Sequence, residues 1–399
     1  MRYGWRHEHT HRGAGTRIDM TQDVRTTRVM QLTGGPRFAA KGVRGVDLGA
    51  NTTHAGTHYF FFGDVPRAGR THGPIHDADA IAYATRLDGG RIDLELVTGA
   101  DGLFAPFRIR FAEGVMGAGP GERVVRELGT AQTPTGAFSW GDHVYVFVIL
   151  AETPDEEWPS PVSYLTRSRD PRAGEPFDQV FRFSDGKFWQ VAPAVVPSRP
   201  ELPPHAGHGV VMLGQGFSEV PGHDAAFLAW MPLDGDGPRC DEIRFHTGDA
   251  ACPWADEERR AQPLWLTTPG YSSISLVHVE GADRWIALYS HAINAPYHRE
   301  RDPVVARIGK TLVDWSDEIV VFDPLRDDAY GRFMHWPKLD ELHLDGVPNS
   351  DEKAWAYGAF LIAPLTRWHP EEREVTIHYV LSPHRPYQVQ LMRSRFRLP

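Results

Sequence analysis

Five times along the chain, a short run rich in β-branched and aromatic residues meets a Gly- or Asp-containing turn and is followed by a second such run. The segments are 46–64 (VDLGANTTHAGTHYFFFGD), 135–150 (TGAFSWGDHVYVFVIL), 209–233, 271–291 and 357–382. This is the hairpin signature, and it leaves little of the chain for the 3.6-residue apolar period of packed helices. The stretches between hairpins hold further strand-like segments, at 80–87 (AIAYATRL), 179–193, 242–248 and 389–398 (VQLMRSRFRL), which supply outer strands. Radial repetition of four-stranded sheets removes most exposed sheet edges. The sequence therefore predicts an all-β fold: a five-bladed β-propeller of four-stranded antiparallel blades around a central axis. A two-domain β-sandwich is the competing reading, because divergent repeats look like generic hairpins. The Pro-rich stretch at 196–205 reads as a connection between blades, since hairpin patterning resumes directly after it. The expected organisation is a polar N-terminal tail over 1–30 and a single propeller domain over 31–399.

Composition narrows the partners. With 42 Lys+Arg against 52 Asp+Glu and a net charge of −10, the chain lacks the basic footprint of a nucleic-acid binder. The longest apolar run, Val144 to Ala151, is far shorter than the roughly 20 residues needed to cross a bilayer, so no membrane partner is expected. The N-terminus, MRYGWRHEHTHRGAG, has no apolar core of the kind an export signal carries, although Met20 and Met30 are other possible starts. Two cysteines, Cys240 and Cys252, fit either one short bridge or two free thiols. The chain is expected to act as a monomer. Its 20 Phe, 12 Trp and 12 Tyr suit flat or sugar ligands, and Trp140, Tyr271, Trp355 and Tyr357 stand at or near hairpin starts, which in a propeller line the axis. Packing between blades is the plainer role for any one of these rings.

The first hairpin carries the strongest chemical signal. If its turn is centred between Ala55 and Gly56, facing residues have numbers summing to 111 and Asp47 lies directly opposite Asp64. Like charges facing each other across a sheet are destabilising and ask for a reason. One reason is a carboxylate pair of which one member keeps its proton, as in glycoside hydrolysis. The plainer reason is that each Asp ends its strand. A slip of one residue would send the two side chains to opposite faces. Just downstream, Asp77 and Asp79 share a face of an extended segment and could reach the same pocket, as a third carboxylate or as substrate acceptors; a solvated entry loop is the alternative. A cation beside Asp47, Asp64 and Asp79 is another way to relieve their repulsion.

Other signals are weaker. His205 and His208 flank a strand start and either could face a ligand, whereas His7, His9 and His11 alternate on the polar tail. Cys240, His246 and Cys252 lack the paired spacing of a zinc site, so no metal is assigned. GAGPGE (117–122) does not match the dinucleotide pattern, and no P-loop or GxSxG sequence occurs, so no cofactor is expected.

In their order, several motifs resemble those of a bacterial five-bladed propeller family catalogued as a domain of unknown function and allied to the glycoside hydrolases. Some of its members are endo-D-arabinofuranosidases acting on mycobacterial arabinan. Its opening is matched by GVDLG (45–49) and FGDV (62–65), and its ending by YGAF (357–360), YVLS (379–382) and PYQVQLM (386–392). PTGAFSWGDHVYVFV (134–148) and 271–290 look like its middle blades, so the resemblance spans about 30–398. Val46, Val65 and Ala359 depart from the usual Thr, Thr and Pro without removing a carboxylate. The resemblance implies a glycoside hydrolase that cleaves a furanoside-rich polysaccharide, with Asp47 and Asp64 catalytic. Asp77, Asp79, Trp140, His208, Tyr271 and Tyr357 are the candidates for substrate contact. A non-catalytic carbohydrate-binding or scaffold propeller is the alternative. A polysaccharide substrate implies secretion or the cell envelope, while the missing export signal points to the cytoplasm, and the sequence leaves both open.

Overall fold

A computed structural model describes residues 23–65, 78–113, 115, 120–128, 132–151, 161–221, 223–267, 273–291, 303–336 and 353–399. Their strands form five sheets in a propeller-like arrangement. The first sheet, in order, is Asp47–His54, Thr57–Gly63, Ala80–Asp88 and Arg91–Leu96. The second begins with Thr133–Trp140 and His143–Ala151, the third with Gln190–Pro197 and His208–Phe217, and the fourth with Ser275–Val279 and Arg284–Ser290. The fifth runs Ala356–Leu361, Glu374–Pro383, Gln390–Arg397 and Arg25–Gln31. The first strand of each sheet packs against the first strand of the next, and that of the fifth packs back on Asp47–His54, so these five strands surround an axis.

Both chain ends meet in the fifth sheet. Arg25–Gln31 pairs antiparallel with Gln390–Arg397, fastened by a Thr26–Ser394 hydroxyl bond at 2.7 Å. Residues 25–30, assigned to the polar tail by the sequence, thus belong to the sheet. The expectation of uniform four-stranded antiparallel blades also needs correcting. Among the described residues only the first and fourth sheets have four strands, and the second holds a parallel pairing of Phe177–Ser184 with Arg108–Phe111. Several of the added strands are two to four residues long, such as Gly237–Pro238 and Arg244–His246, too short to show a period of two in the sequence.

Each sheet is covered on both faces, which is why its strands read as continuous apolar runs. Phe60, Phe61 and Phe62 are successive, point to alternate faces, and are all fully buried. Phe60 stacks on Phe62, while Phe61 meets Phe107 and Phe177 of the neighbouring sheet edge-on at 6.0 Å. Burying one such ring contributes on the order of 1.5–3 kcal/mol. Near the axis the strands come too close for side chains. At Gly136 a Cβ would stand 2.1 Å from the Val191 carbonyl of the third sheet. Among the described residues no helix is long and apolar enough to cross a membrane. Cys240 and Cys252 are both free thiols, and burial pushes that of Cys240 up to about 11.

Candidate active site at the Asp47 end of the axis

The first hairpin turns at Ala55–Gly56, both with positive φ (46° and 80°), as a two-residue hairpin loop requires. From this turn the expected register holds as far as Ala50 opposite Phe61. A bulge then intervenes, with Leu48 and Gly49 at φ 57° and 134°, and Asp47 comes to lie opposite Gly63 rather than Asp64. The predicted direct facing of the two aspartates is therefore wrong by one residue. Gly63 is what lets the slip work. A Cβ there would sit 2.7 Å from Asp47 Oδ1 and 2.5 Å from Thr133 Oγ1, so the carboxylate fills the space a side chain would take.

Asp64, just past its strand at φ 49°, turns its carboxyl back toward the same place. The Tyr387 hydroxyl reaches Asp47 Oδ2 at 2.9 Å and Asp64 Oδ2 at 3.3 Å, so these two oxygens are no further apart than the sum of those contacts. Tyr357, from the first strand of the fifth sheet, donates its hydroxyl proton to the same Asp47 Oδ2 at 2.6 Å. Asp79, immediately before Ala80–Asp88, accepts the Asp64 backbone N–H at 2.8 Å. Two tyrosines, three carboxyls and Thr133 thus converge where the first, second and fifth sheets meet.

Burial sets the electrostatics. Asp47 and Asp79 are 3% and 1% exposed, while Asp64 and Tyr387 are partly exposed. The Asp64 carboxyl is pushed up to about 7 by loss of solvent, against the Tyr387 bond, which favours the charged form. Although the residue is partly exposed, its Oδ1 is buried and has no hydrogen-bond partner among the described residues, which accounts for the shift. Asp79 is raised well above the carboxylate range, first by burial and then by the charge on Asp64, and its Oδ2 is likewise buried without a partner among them. Burial and the charge on Asp47 hold both tyrosines far above their ordinary value, so they remain donors. Among the described residues no group of three or more His, Cys, Asp or Glu side chains is arranged to hold a metal ion.

The sequence-predicted residues separate into three sets. Asp47, Asp64, Asp79 and Tyr357 come together, although Tyr357, 6% exposed, uses its hydroxyl on Asp47 rather than offering a ring face. Trp140 and His208 lie at the opposite end of the axis. Thr133, at the start of Thr133–Trp140, borders the carboxylates, and Trp140 closes that strand about 23 Å further on at ~3.3 Å per residue. There Trp140 packs against His208 with ring centroids 5.2 Å apart and donates its indole N–H to the Asp234 carbonyl. Asp77 and Tyr271 fall outside the described residues. Sequence reasoning missed Tyr387 and Thr133 as site residues. Tyr387 stands inside the PYQVQLM motif, so the signal was present, but its role depends on a backbone at φ 66° that a motif does not reveal.

No protein-family model matches the chain, and no curated protein does. Among solved structures it is similar to Zg3597, a family 117 glycoside hydrolase of the marine bacterium Zobellia galactanivorans, at 11% identity, covering 94% of this chain and 90% of that one, with TM-score 0.44. A Cellvibrio cellulosa α-L-arabinanase, in complex with arabinohexaose, matches at 10% identity over 88% and 91%, with TM-score 0.45. An exo-1,5-α-L-arabinanase from a bovine ruminal metagenomic library matches at 8% identity over 89% and 94%, with TM-score 0.45.

Proposed function

We propose that this protein is a glycoside hydrolase that cleaves a furanoside-rich polysaccharide, endo-acting on D-arabinan, at the Asp47 end of a five-bladed propeller. The observation that carries the reading is the Tyr387 hydroxyl shared by Asp47 and an Asp64 held near neutrality at about 7. A carboxyl with such a value is protonated often enough at neutral pH to act as general acid, while an oxygen receiving two tyrosine hydroxyls suits a standing carboxylate. Asp64 is accordingly the acid and Asp47 the carboxylate. The order of motifs from GVDLG to PYQVQLM supports the substrate class.

The shared hydroxyl, 2.9 and 3.3 Å from the two Oδ2 atoms, keeps them closer than the roughly 6.5–9.5 Å that inverting enzymes leave for a water, which favours the retaining course. Asp64 then gives its proton to the leaving glycosidic oxygen as Asp47 bonds to the anomeric carbon. In the second step Asp64 takes a proton from water, whose oxygen displaces Asp47 and restores both groups. Asp79 stays protonated and fixes the backbone N–H of Asp64.

The test is release of reducing ends from arabinan, followed by NMR of the first-formed anomer. Asp47→Asn and Asp64→Asn should each remove activity while leaving the circular dichroism spectrum intact, and the parent should release product with retained configuration. Full activity in either variant overturns the assignment. Glycan binding that survives both substitutions in a parent without turnover would mark a binding module instead.

A further inference from the structure

At the end of the axis remote from Asp47 the five inner strands line an open cavity of about 670 Å³, to which they contribute Thr53, Ser139, Val195, His278 and Leu361 in turn. Small-molecule sites commonly occupy about 300–1,000 Å³. Its nearer lining residues, Asn51 and Ala137, stand four residues along their strands from Asp47 and Thr133, about 13 Å at ~3.3 Å per residue, and Thr53 and Ser139 lie two residues further on, so it does not include the carboxylates.

Its walls include polar groups with unused capacity. His58 lines the cavity, is 3% exposed, and bonds Thr53 Oγ1 through Nδ1 at 2.8 Å, yet its Nε2 is buried with no partner among the described residues. Leaving a buried ring nitrogen unpaired costs on the order of 1–3 kcal/mol. Arg199 lies over the Trp285 ring at 5.4 Å and reaches His278 Nε2 at 3.0 Å, but its carboxylate neighbours Asp283 and Glu201 stand at 3.5 and 3.8 Å, beyond a good hydrogen bond. Its Nε is also buried and unpaired among the described residues.

Charge selects the ligand class. Arg199, the one arginine lining the cavity among the described residues, is outnumbered there by Glu280 and Asp283, so a small anion meets no net attraction. His58 is driven down to about 4 by burial and is neutral. What the walls offer is hydroxyls, an imidazole and a guanidinium, interleaved with the apolar faces of Pro193, Val195 and Pro364. That mixture matches a ring with hydroxyls at its rim and C–H groups on its faces.

We propose that this mouth of the axis binds a short neutral oligosaccharide without cleaving it, holding a glycan at a point distant from the carboxylates. The assignment does not rest on the catalytic one. Calorimetric titration of the Asp64→Asn protein with arabinotriose, xylotriose and maltotriose tests it without turnover. At least one trisaccharide should bind, and Arg199→Ala in the same background should weaken it tenfold or more. Val195→Trp, which fills the cavity, should abolish it, and inorganic phosphate should not compete. Circular dichroism checks that each variant is folded, and Arg199→Ala, on a side chain that is only partly buried, stands as the deciding variant if Val195→Trp is not folded. No binding by any trisaccharide, binding unchanged in Arg199→Ala, or phosphate binding that Arg199→Ala removes would each overturn the proposal.

Discussion

The two ends of the strand pair Asp47–His54 and Thr57–Gly63 bury ionisable groups in opposite ways. At one end Asp64 is raised to about 7, and at the other, six residues earlier, His58 is lowered to about 4, with burial the first cause in both. Near pH 6 loss of solvent thus leaves an acid with its proton and a base without one. The difference lies in access. Asp64 is partly exposed and shares a hydroxyl with a second carboxyl, whereas His58 is 3% exposed and, among the described residues, hydrogen-bonds Thr53 alone. Burial of a titratable group alone does not make chemistry; the proposed acid differs from His58 in its partial exposure and in the second carboxyl beside it.

The largest effect that sharpens this contrast is in the pH profile of activity. If Asp64 is the acid, kcat/KM should fall about tenfold per pH unit above about 7. The same proton has a sign in stability. The folded state holds it and the unfolded chain, with an ordinary carboxyl, does not, so stability falls as pH rises from about 4 through 7. Asp64→Asn should therefore raise the melting temperature at pH 8 and do little at pH 4, while removing activity at both. A melting temperature lowered at pH 8 would show that the carboxylate is stabilised where it lies.

At the other end the sign reverses. Unfolded histidine binds a proton near pH 6.5 and the buried His58 ring only near 4, so stability is lost as pH falls between those values. The loss should approach about 3 kcal/mol by pH 4, at roughly 1.4 kcal/mol per unit. Denaturant melts of the parent and of His58→Gln across that range measure it, and parallel curves would break the contrast.

Much of the fold was legible. The Ala55–Gly56 turn, the hairpin and its register as far as Ala50 follow from sequence rules, because a two-residue loop fixes pairing near itself. The bulge at Leu48–Gly49 was not, since LG in a strand does not announce φ values of 57° and 134°. That one slip separates the predicted facing of Asp47 and Asp64 from the observed convergence. The short added strands escaped for want of length, and Tyr387 because it comes from the opposite end of the chain, 340 residues from Asp47. That Trp140 and His208 stand apart from the carboxylates could not be read for a simpler reason. A strand has two ends, and composition does not say which end faces the site.

A smaller effect isolates the shared hydroxyl. Tyr387→Phe removes the one hydroxyl that bridges the two carboxyls, and because its contact with Asp64 favours the ionised form, its loss should move the alkaline limb of kcat/KM upward from about 7. A lost hydrogen bond to a charged group is worth about 1.5–3 kcal/mol, so kcat/KM should drop about 10- to 100-fold at the optimum. A drop without a shifted limb would mean that Tyr387 positions Asp47 and leaves Asp64 untouched.

The smallest effect belongs to Trp140. Trp140→Phe keeps an aromatic ring against His208 and removes only the indole bond to the Asp234 carbonyl, a contact between the second and third sheets. A net hydrogen bond contributes about 0.5–1.5 kcal/mol, so in a chain of this length the melting temperature should fall by about 1–2 °C while kcat/KM on arabinan stays where it was. Loss of activity at unchanged stability would place this end of the axis in the catalytic path. The contrast drawn between the two ends would then have to be redrawn.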